Sequence, residues 1–529
     1  MKDDLKILSF NKGALVSYYN ENPNDQYAPT HIFPEIDPHP DVHYQEYKQW
    51  KNNDMLYKDH WDQPYSLGQL ENQSHIHFEE NIGPSQFIEL LDKDIEIEYI
   101  ESSDAVRNFH NVIKQAKADY NNVIVIFHRL HSYIVPYHMW KIAHDEDITM
   151  CIDNSFEAES YSLHRLFFWL HSNFPKTDFV KYLYAAHDIP YMEPGKMSRK
   201  NLLKQEFGID FVNIEFFLLH ELQGNKIYSD NDERSKLIYK NFEPDVFYNN
   251  NKAKKFLCLN NYMKDHRIWF VNFLNENNLI DKGIVSARFS IDSNKPFHNH
   301  GVEKFGTYSG INHIFTSSFN DNSFNMEKYN SLKEVLPLVI DDDLIDNKHA
   351  VNPDMFNDHV NSNNYEFRDR WVNWEWYANT EFTIAPESSF TPDLISQPGI
   401  FKQYIPDHQN TAYYEKAPND IGFLTEKTFK PIMYGHPFIL ITHPGALERL
   451  HKLGFETFPE WFDESYDRIS DHGDRIKFIG NVVKKACESD LDINVIKDKL
   501  EHNRHHFFSI DNALNIFNNL FDELLKRDK

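Results

Sequence analysis

Residues 420–443 read DIGFLTEKTFKPIMYGHPFILITH. A short apolar approach, Ile421 to Leu424, leads into Thr425-Glu426-Lys427. A helix-like segment follows, and then a strand-like run from Pro437 to Thr442. A carboxylate and an ammonium side by side at a helix start can do paired work. The carboxylate can accept hydrogen bonds from two neighbouring sugar hydroxyls. The ammonium, helped by backbone N–H groups and the positive end of the helix dipole, can hold a phosphate. That combination describes a nucleotide-sugar site. The plainer alternative makes Thr425 an N-cap and its two neighbours solvated first-turn residues.

Outward from this stretch the chain alternates between strands and helices. KKFLCLN (254–260) reads as a strand ending in Asn260, HRIWFVNFLNENN (266–278) as a helix and GIVSARFS (283–290) as the next strand. FRDRWVNWEWYANT (367–380) is helical, EFTIAPESS (381–389) is a strand entering a loop, and GALERLHKLG (445–454) is a helix ended by Gly454. Residues 291–365 read as loops with a helix near 326–337. Two C-terminal helices are expected, about 472–488 and 491–526. Upstream, LKILSF (5–10), IEIEYI (95–100), NVIVIFH (122–128), ITMCID (148–153) and FVKYLYAA (179–186) are strand-like runs. Helical periodicity over 104–120 and 162–174 separates them. The pattern predicts an α/β protein with two Rossmann-like domains. The expected domains are a strand and irregular extension over 1–92, an N-terminal domain over 93–240, a C-terminal domain over 255–490 and a terminal helix over 491–529.

Composition sets the limits. The 529 residues carry a net charge of −27, which argues against a protein that coats nucleic acid, although it leaves room for a local basic pocket. Three widely spaced cysteines, Cys151, Cys258 and Cys487, form neither a disulfide framework nor a zinc pattern, and fit a reducing, cytoplasmic setting. No signal peptide and no apolar run long enough to span a membrane is visible. His39 and His43 match no standard ligand spacing, and Asp341-Asp342-Asp343 reads as an acidic loop. No metal is expected. No glycine-rich dinucleotide or P-loop signature is present.

Three strand ends in the second half run into polar residues in order: Asn260 with Arg267, then Glu387-Ser388-Ser389, then Thr425-Glu426-Lys427. Ligands of open parallel sheets sit beyond the carboxyl ends of strands. At these residues the sequence resembles the α1,3-fucosyltransferases, glycosyltransferase family 10, over about residues 254–445. LNNYMKDHR keeps the Asn and Arg of that family's S-N-x(6)-R. FTIAPESS keeps Glu387 and Ser389 of F-x-x-x-F-E-N-S. FLTEKTFKPIMYGHPFIL keeps Thr425, Glu426, Lys427 and Pro437 of Y-I-T-E-K-L-x-x-N-A and the strand after it. LERLHKLGFETFPEWFDESYD (447–467) lies beyond the match and looks like a feature of a divergent, viral-type branch.

The resemblance implies a GT-B fold and an inverting transfer from a nucleotide-sugar, GDP-fucose as first guess, to a glycan hydroxyl in the cleft, with no cofactor and no essential metal. Arg267 and Lys427 would bind the diphosphate, Glu426 ribose or sugar hydroxyls, and Glu387 and Ser389, with Ser388 between them, would line the donor pocket. A general base is expected from the first domain. DNSFEAES (153–160) faintly resembles the family's E-S-P element and suggests Glu159, then Glu157; His128 and the pair His187-Asp188 compete. Pro431 departs from the family pattern. Lacking an N–H, it predicts a helix that starts at Thr428 rather than Thr425, or bends there. Two alternatives stand beside this reading: a glycosyltransferase acting on modified DNA bases, and a non-catalytic carbohydrate-binding protein on a transferase fold.

Overall fold

In the computed structural model the apolar run Asn122–His128 is a strand, with Val123 to Phe127 buried as a strand covered on both faces requires. The structure describes residues 4–22, 94–128, 135–154, 162–188, 204–222, 244–260, 265–288, 331–340, 374–390 and 421–526, with gaps of one or two residues inside these spans, Ser388 and Ser389 among them. The chain divides into two compact units.

The first unit runs β1 (Asp4–Phe10), α1 (Lys12–Glu21), β2 (Asp94–Ile100), α2 (Ser103–Arg107), α3 (Phe109–Asp119), β3 (Asn122–His128), α4 (Tyr137–Asp145), β4 (Thr149–Asn154), α5 (Ser162–Asn173), β5 (Val180–Tyr184) and β6 (Asp210–Asn213). Its strands pair in parallel in the order β2-β1-β3-β4-β5-β6. Two helices come as additions to the sequence reading. Helix α1 follows β1 directly, and Asn11 Oδ1 accepts the Ala14 N–H at 2.8 Å to start it. Helix α4 buries Met139, Trp140 and Ala143 on one face. The helix expected over 104–120 is two, α2 and α3, meeting at Asn108, and its N-cap is Ser102, whose hydroxyl accepts from Asp104 N.

The second unit runs α6 (Pro244–Phe247), β7 (Lys254–Cys258), α7 (Asp265–Glu276), β8 (Gly283–Arg288), β9 (Leu338–Ile340), α8 (Trp374–Ala378), β10 (Thr380–Pro386), α9 (Glu426–Met433), β11 (Phe438–Ile441), α10 (Ala446–Lys452), α11 (His472–Glu488) and α12 (Lys497–Phe507). Its five strands are parallel in the order β9-β8-β7-β10-β11. The first three strands are laid down in one direction from β7 and the last two in the other. The sheet therefore reverses between β7 and β10, and such a switch point opens a crevice at the carboxyl edge. Helix α11 packs on β11 and α7, and α12 packs on α9.

The single helix expected over 491–526 is interrupted. Helix α12 ends at Phe507, and α13 (Ile510–Leu525) starts after Ser509. Helix α13 belongs to the first unit and packs on β6. There Lys181, 2% exposed, donates to the Lys526 carbonyl at 2.6 Å and pairs with Asp210. Among the described residues no helix is long and apolar enough to cross a membrane.

Candidate functional site

Helix α9 carries the charged element, and its geometry corrects the expectation drawn from Pro431. The helix begins at Glu426, not Thr428. Thr425 is its N-cap, with extended backbone and a hydroxyl that accepts from Lys427 N. Pro431 sits inside the helix, where its missing N–H deprives only the Lys427 carbonyl of an i+4 partner. The far end is closed by a Schellman arrangement: Gly435 N donates to Ile432 O and His436 N to Pro431 O, with Gly435 left-handed at φ 59°.

Glu387, one residue past β10, holds the near end of this helix. Its carboxylate accepts from Thr425 N at 2.9 Å, from the Thr425 hydroxyl at 2.6 Å and from the Thr428 hydroxyl, and the residue is 0% exposed. Its backbone carbonyl accepts from His266 Nε2 at 2.8 Å and Arg267 Nη2 at 3.0 Å, both from the first turn of α7. Because a carbonyl only accepts, the His266 ring carries its proton on Nε2. Asn260, two residues past β7, is 1% exposed; its amide donates to Ser286 O at 3.0 Å, and its own N–H bonds the Ser286 hydroxyl at 2.8 Å. Arg267, Glu387 and Thr425 are thus tied together by hydrogen bonds at the carboxyl ends that flank the switch point, with Glu426 and Lys427 following Thr425, while Asn260, past β7, is tied to Ser286 of β8.

The charges differ in exposure. Arg267 is buried at 2%, whereas the side chains of Glu426 and Lys427 are 24% and 25% exposed and form an ion pair. Burial opposes ionisation of Glu426, but the ammonium groups of Lys427 and Lys430 and hydrogen bonds to Lys427 and its own backbone outweigh it, bringing the carboxyl down to about 2. Burial also lowers Arg267, with the charges of Glu387 and Glu426 acting against it. The cluster has three cations, Arg267, Lys427 and Lys430, against two carboxylates, one of them committed to the threonines. It is a local basic spot in a chain of net charge −27. The first-turn N–H groups of α9 are largely spent: Thr425 N on Glu387, Lys427 N on Thr425, and Thr428 N on the Thr425 carbonyl. Attraction for an anion therefore falls to the side-chain cations and the helix dipole rather than to free amides.

Several contributors carry no signal in the sequence reading. Thr428, His266 and Lys430 are three. A fourth is Arg475 on α11, 0% exposed, which donates to the carbonyls of Thr442 (3.0 Å), Ile469 (2.8 Å) and Phe390 (2.6 Å). Its guanidinium lies 4.5 Å from the centre of the Phe390 ring, and that ring stacks on His266 at 5.1 Å. Residues 447–467, set apart by sequence, have internal work. The Asp467 carboxylate accepts from Leu447 N and Glu448 N at the start of α10. Glu464 accepts from the Thr457 hydroxyl and Phe458 N, both at 2.8 Å, and burial raises its carboxyl to about 7.

Glu157, Glu159, Ser388, Ser389, His39, His43 and Asp341-Asp342-Asp343 lie outside the described residues, as do the side chains of His128, His187 and Asp188. Among the described residues no group of three or more His, Cys, Asp or Glu could hold a metal ion. No protein-family model matches the chain. No curated protein matches it in sequence.

Proposed function

We propose that the crevice at the switch point of the second unit binds the diphosphate of a nucleotide-sugar, and that the protein is a glycosyltransferase of GT-B type. The observation that carries this reading is the convergence of Arg267, Lys427 and Lys430 with Glu426 at the carboxyl edge where the β9-β8-β7-β10-β11 sheet reverses. An ionised carboxylate among cations suits a ligand with both hydroxyls and phosphates. Glu426 accepts from the hydroxyls, while the cations take charge from the departing nucleoside diphosphate as the bond to the sugar breaks. In this reading Arg267 acts from beneath, as a buried charge, and Lys427 and Lys430 meet the phosphates directly. Glu387 serves the site through the helix it clamps. An inverting transfer to a glycan hydroxyl, with a fucose-like sugar from a GDP donor as first guess, follows the sequence resemblance. It assigns the base to the first unit, at Glu159 or Glu157.

The test is a thermal-unfolding panel with GDP, UDP, GDP-fucose and UDP-sugars. A bound nucleotide at about a hundred times its Kd stabilises by roughly 2.7 kcal/mol, a shift of a few degrees. Lys427→Ala is expected to abolish the shift and Lys430→Ala to reduce it. If no nucleotide protects the wild-type protein and Lys427→Ala behaves like it, the donor-site reading is wrong.

A further inference from the structure

The segment that enters helix α9 rests on a ring. Gly422 lies three residues before the N-cap, and a Cβ built on it would fall 2.2–2.4 Å from Nε2, Cδ2 and Cε1 of His443. Three ring atoms at nearly equal distance mean that the glycine backbone is seated against the imidazole, closer than any side chain allows. Gly422 is not among the left-handed glycines, so the requirement is one of space. His443 follows β11, is 3% exposed and is oriented by its Nδ1, which donates to the Pro444 carbonyl at 2.9 Å. Burial keeps it neutral, at about 4. The ring is therefore a fixed, uncharged floor. Past Gly422 the chain has buried Leu424 and then Thr425, which Glu387 grips by two hydrogen bonds.

We propose that the Gly422–His443 contact sets the height of Thr425-Glu426-Lys427 above the sheet, and that His443 is a positioning residue of the anion crevice. The inference deepens the reading given above and rests on it for the identity of the ligand, though not for the geometry. An alanine at 422 must lift the segment off the ring or displace a buried imidazole. Either movement strains the grip of Glu387 on Thr425 and re-aims Glu426 and Lys427. Two ends hold the element, Glu387 at the N-cap and His443 beneath the approach.

A double-mutant cycle decides it. Gly422→Ala, His443→Ala and the double variant are compared by calorimetric binding of GDP and UDP, and by hydrogen exchange of peptides covering 424–430 in the free protein. Gly422→Ala is expected to weaken nucleotide binding by on the order of 10–100-fold, as a misplacement of about 1 Å does, and to speed exchange in 424–430. His443→Ala alone should cost less. The double variant should regain most of what Gly422→Ala loses, because the obstructing ring is gone. The proposal is overturned if Gly422→Ala binds and exchanges like wild type. It is also overturned if the double variant is no better than Gly422→Ala, or if His443→Ala alone binds and exchanges like wild type. Should Gly422→Ala fail to fold, the double variant must fold and match His443→Ala; failure on either count sinks the proposal. If wild-type protein binds neither nucleotide, the ligand reading fails alone, and the exchange data still decide whether His443 positions the segment.

Discussion

Glu387 accepts three hydrogen bonds from one helix end and offers its carbonyl to two side chains of another. Glu387→Gln keeps the shape but turns an NH₂ toward groups that only donate well in this setting. It is expected to cost about 1–3 kcal/mol of stability and to loosen α9. A urea titration checks the first effect and hydrogen exchange of 424–430 the second; an unchanged midpoint would contradict the clamp. Buried titrating groups also set a pH dependence. Burial brings His436 down to about 3, and His443 and His472 to about 4, from 6.5. The unfolded chain therefore binds more protons than the folded one below pH 6.5. Stability falls from there as pH drops toward 4, by about 1.4 kcal/mol per pH unit for each histidine at most. Glu464 acts in the opposite sense: raised from 4.5 to about 7, it binds its proton more readily when folded, so its contribution grows as pH falls from 7 to 4.5. Glu464→Gln should accordingly steepen the loss of stability between pH 7 and 5. Urea midpoints across that range test it; an unchanged slope counts against a buried, raised carboxyl.

At the scale of elements, the sequence was most legible where apolar period and caps agree. The strands Asn122–His128 and Phe438–Ile441 and the helix His472–Glu488 lie within a residue or two of their reading, because a buried parallel strand must be apolar throughout and Asp471 caps the helix. Helix α9 was harder. Pro431 argues locally for a later start, but Thr425 as N-cap and the grip of Glu387 hold the first turn. No local rule reports a partner 38 residues away. Arg475 was illegible for a related reason: its partners are backbone carbonyls, which carry no residue signature. Arg267, Glu426 and Lys427 stood out by type and place, whereas Lys430, Thr428 and His266 did not, since a lysine or a threonine within a helix and a histidine at a helix start are ordinary. Thr425 both caps α9 and bonds Glu387. Thr425→Val removes both contacts, and a loss of about 2 kcal/mol or more is expected from cap and buried hydrogen bond together. Thr428→Val, which removes one, should cost less. Equal losses in equilibrium unfolding would show that the cap contributes nothing.

For the whole molecule, alternation alone indicated two parallel α/β sheets. The strand orders, and with them the switch point, came only from the structure, because pairing between strands distant in the chain leaves no periodic trace. The return of α13 to the first unit was equally hidden. Its amphipathic pattern shows that it covers a sheet but not which one. Removing residues 510–529 is therefore expected to damage the first unit. Lys181 would keep Asp210 but lose the Lys526 carbonyl, and β6 would lose its cover. Hydrogen exchange should rise in peptides covering 180–184 and 210–213 and stay unchanged in 438–441. The reverse pattern would place α13 with the wrong sheet.

That return also has a meaning in time. A ribosome releases β6 long before it makes α13: the two are separated by roughly 300 residues, which at typical elongation rates is ~15–60 s. Throughout that interval β6 lacks the helix that packs on it, and Lys181 lacks the Lys526 carbonyl. The second unit, whose elements all lie between 224 and 509 apart from a short segment at 189–196, is complete before the first. The half begun first is thus the half completed last during synthesis, and β6 stands without its helix until α13 emerges.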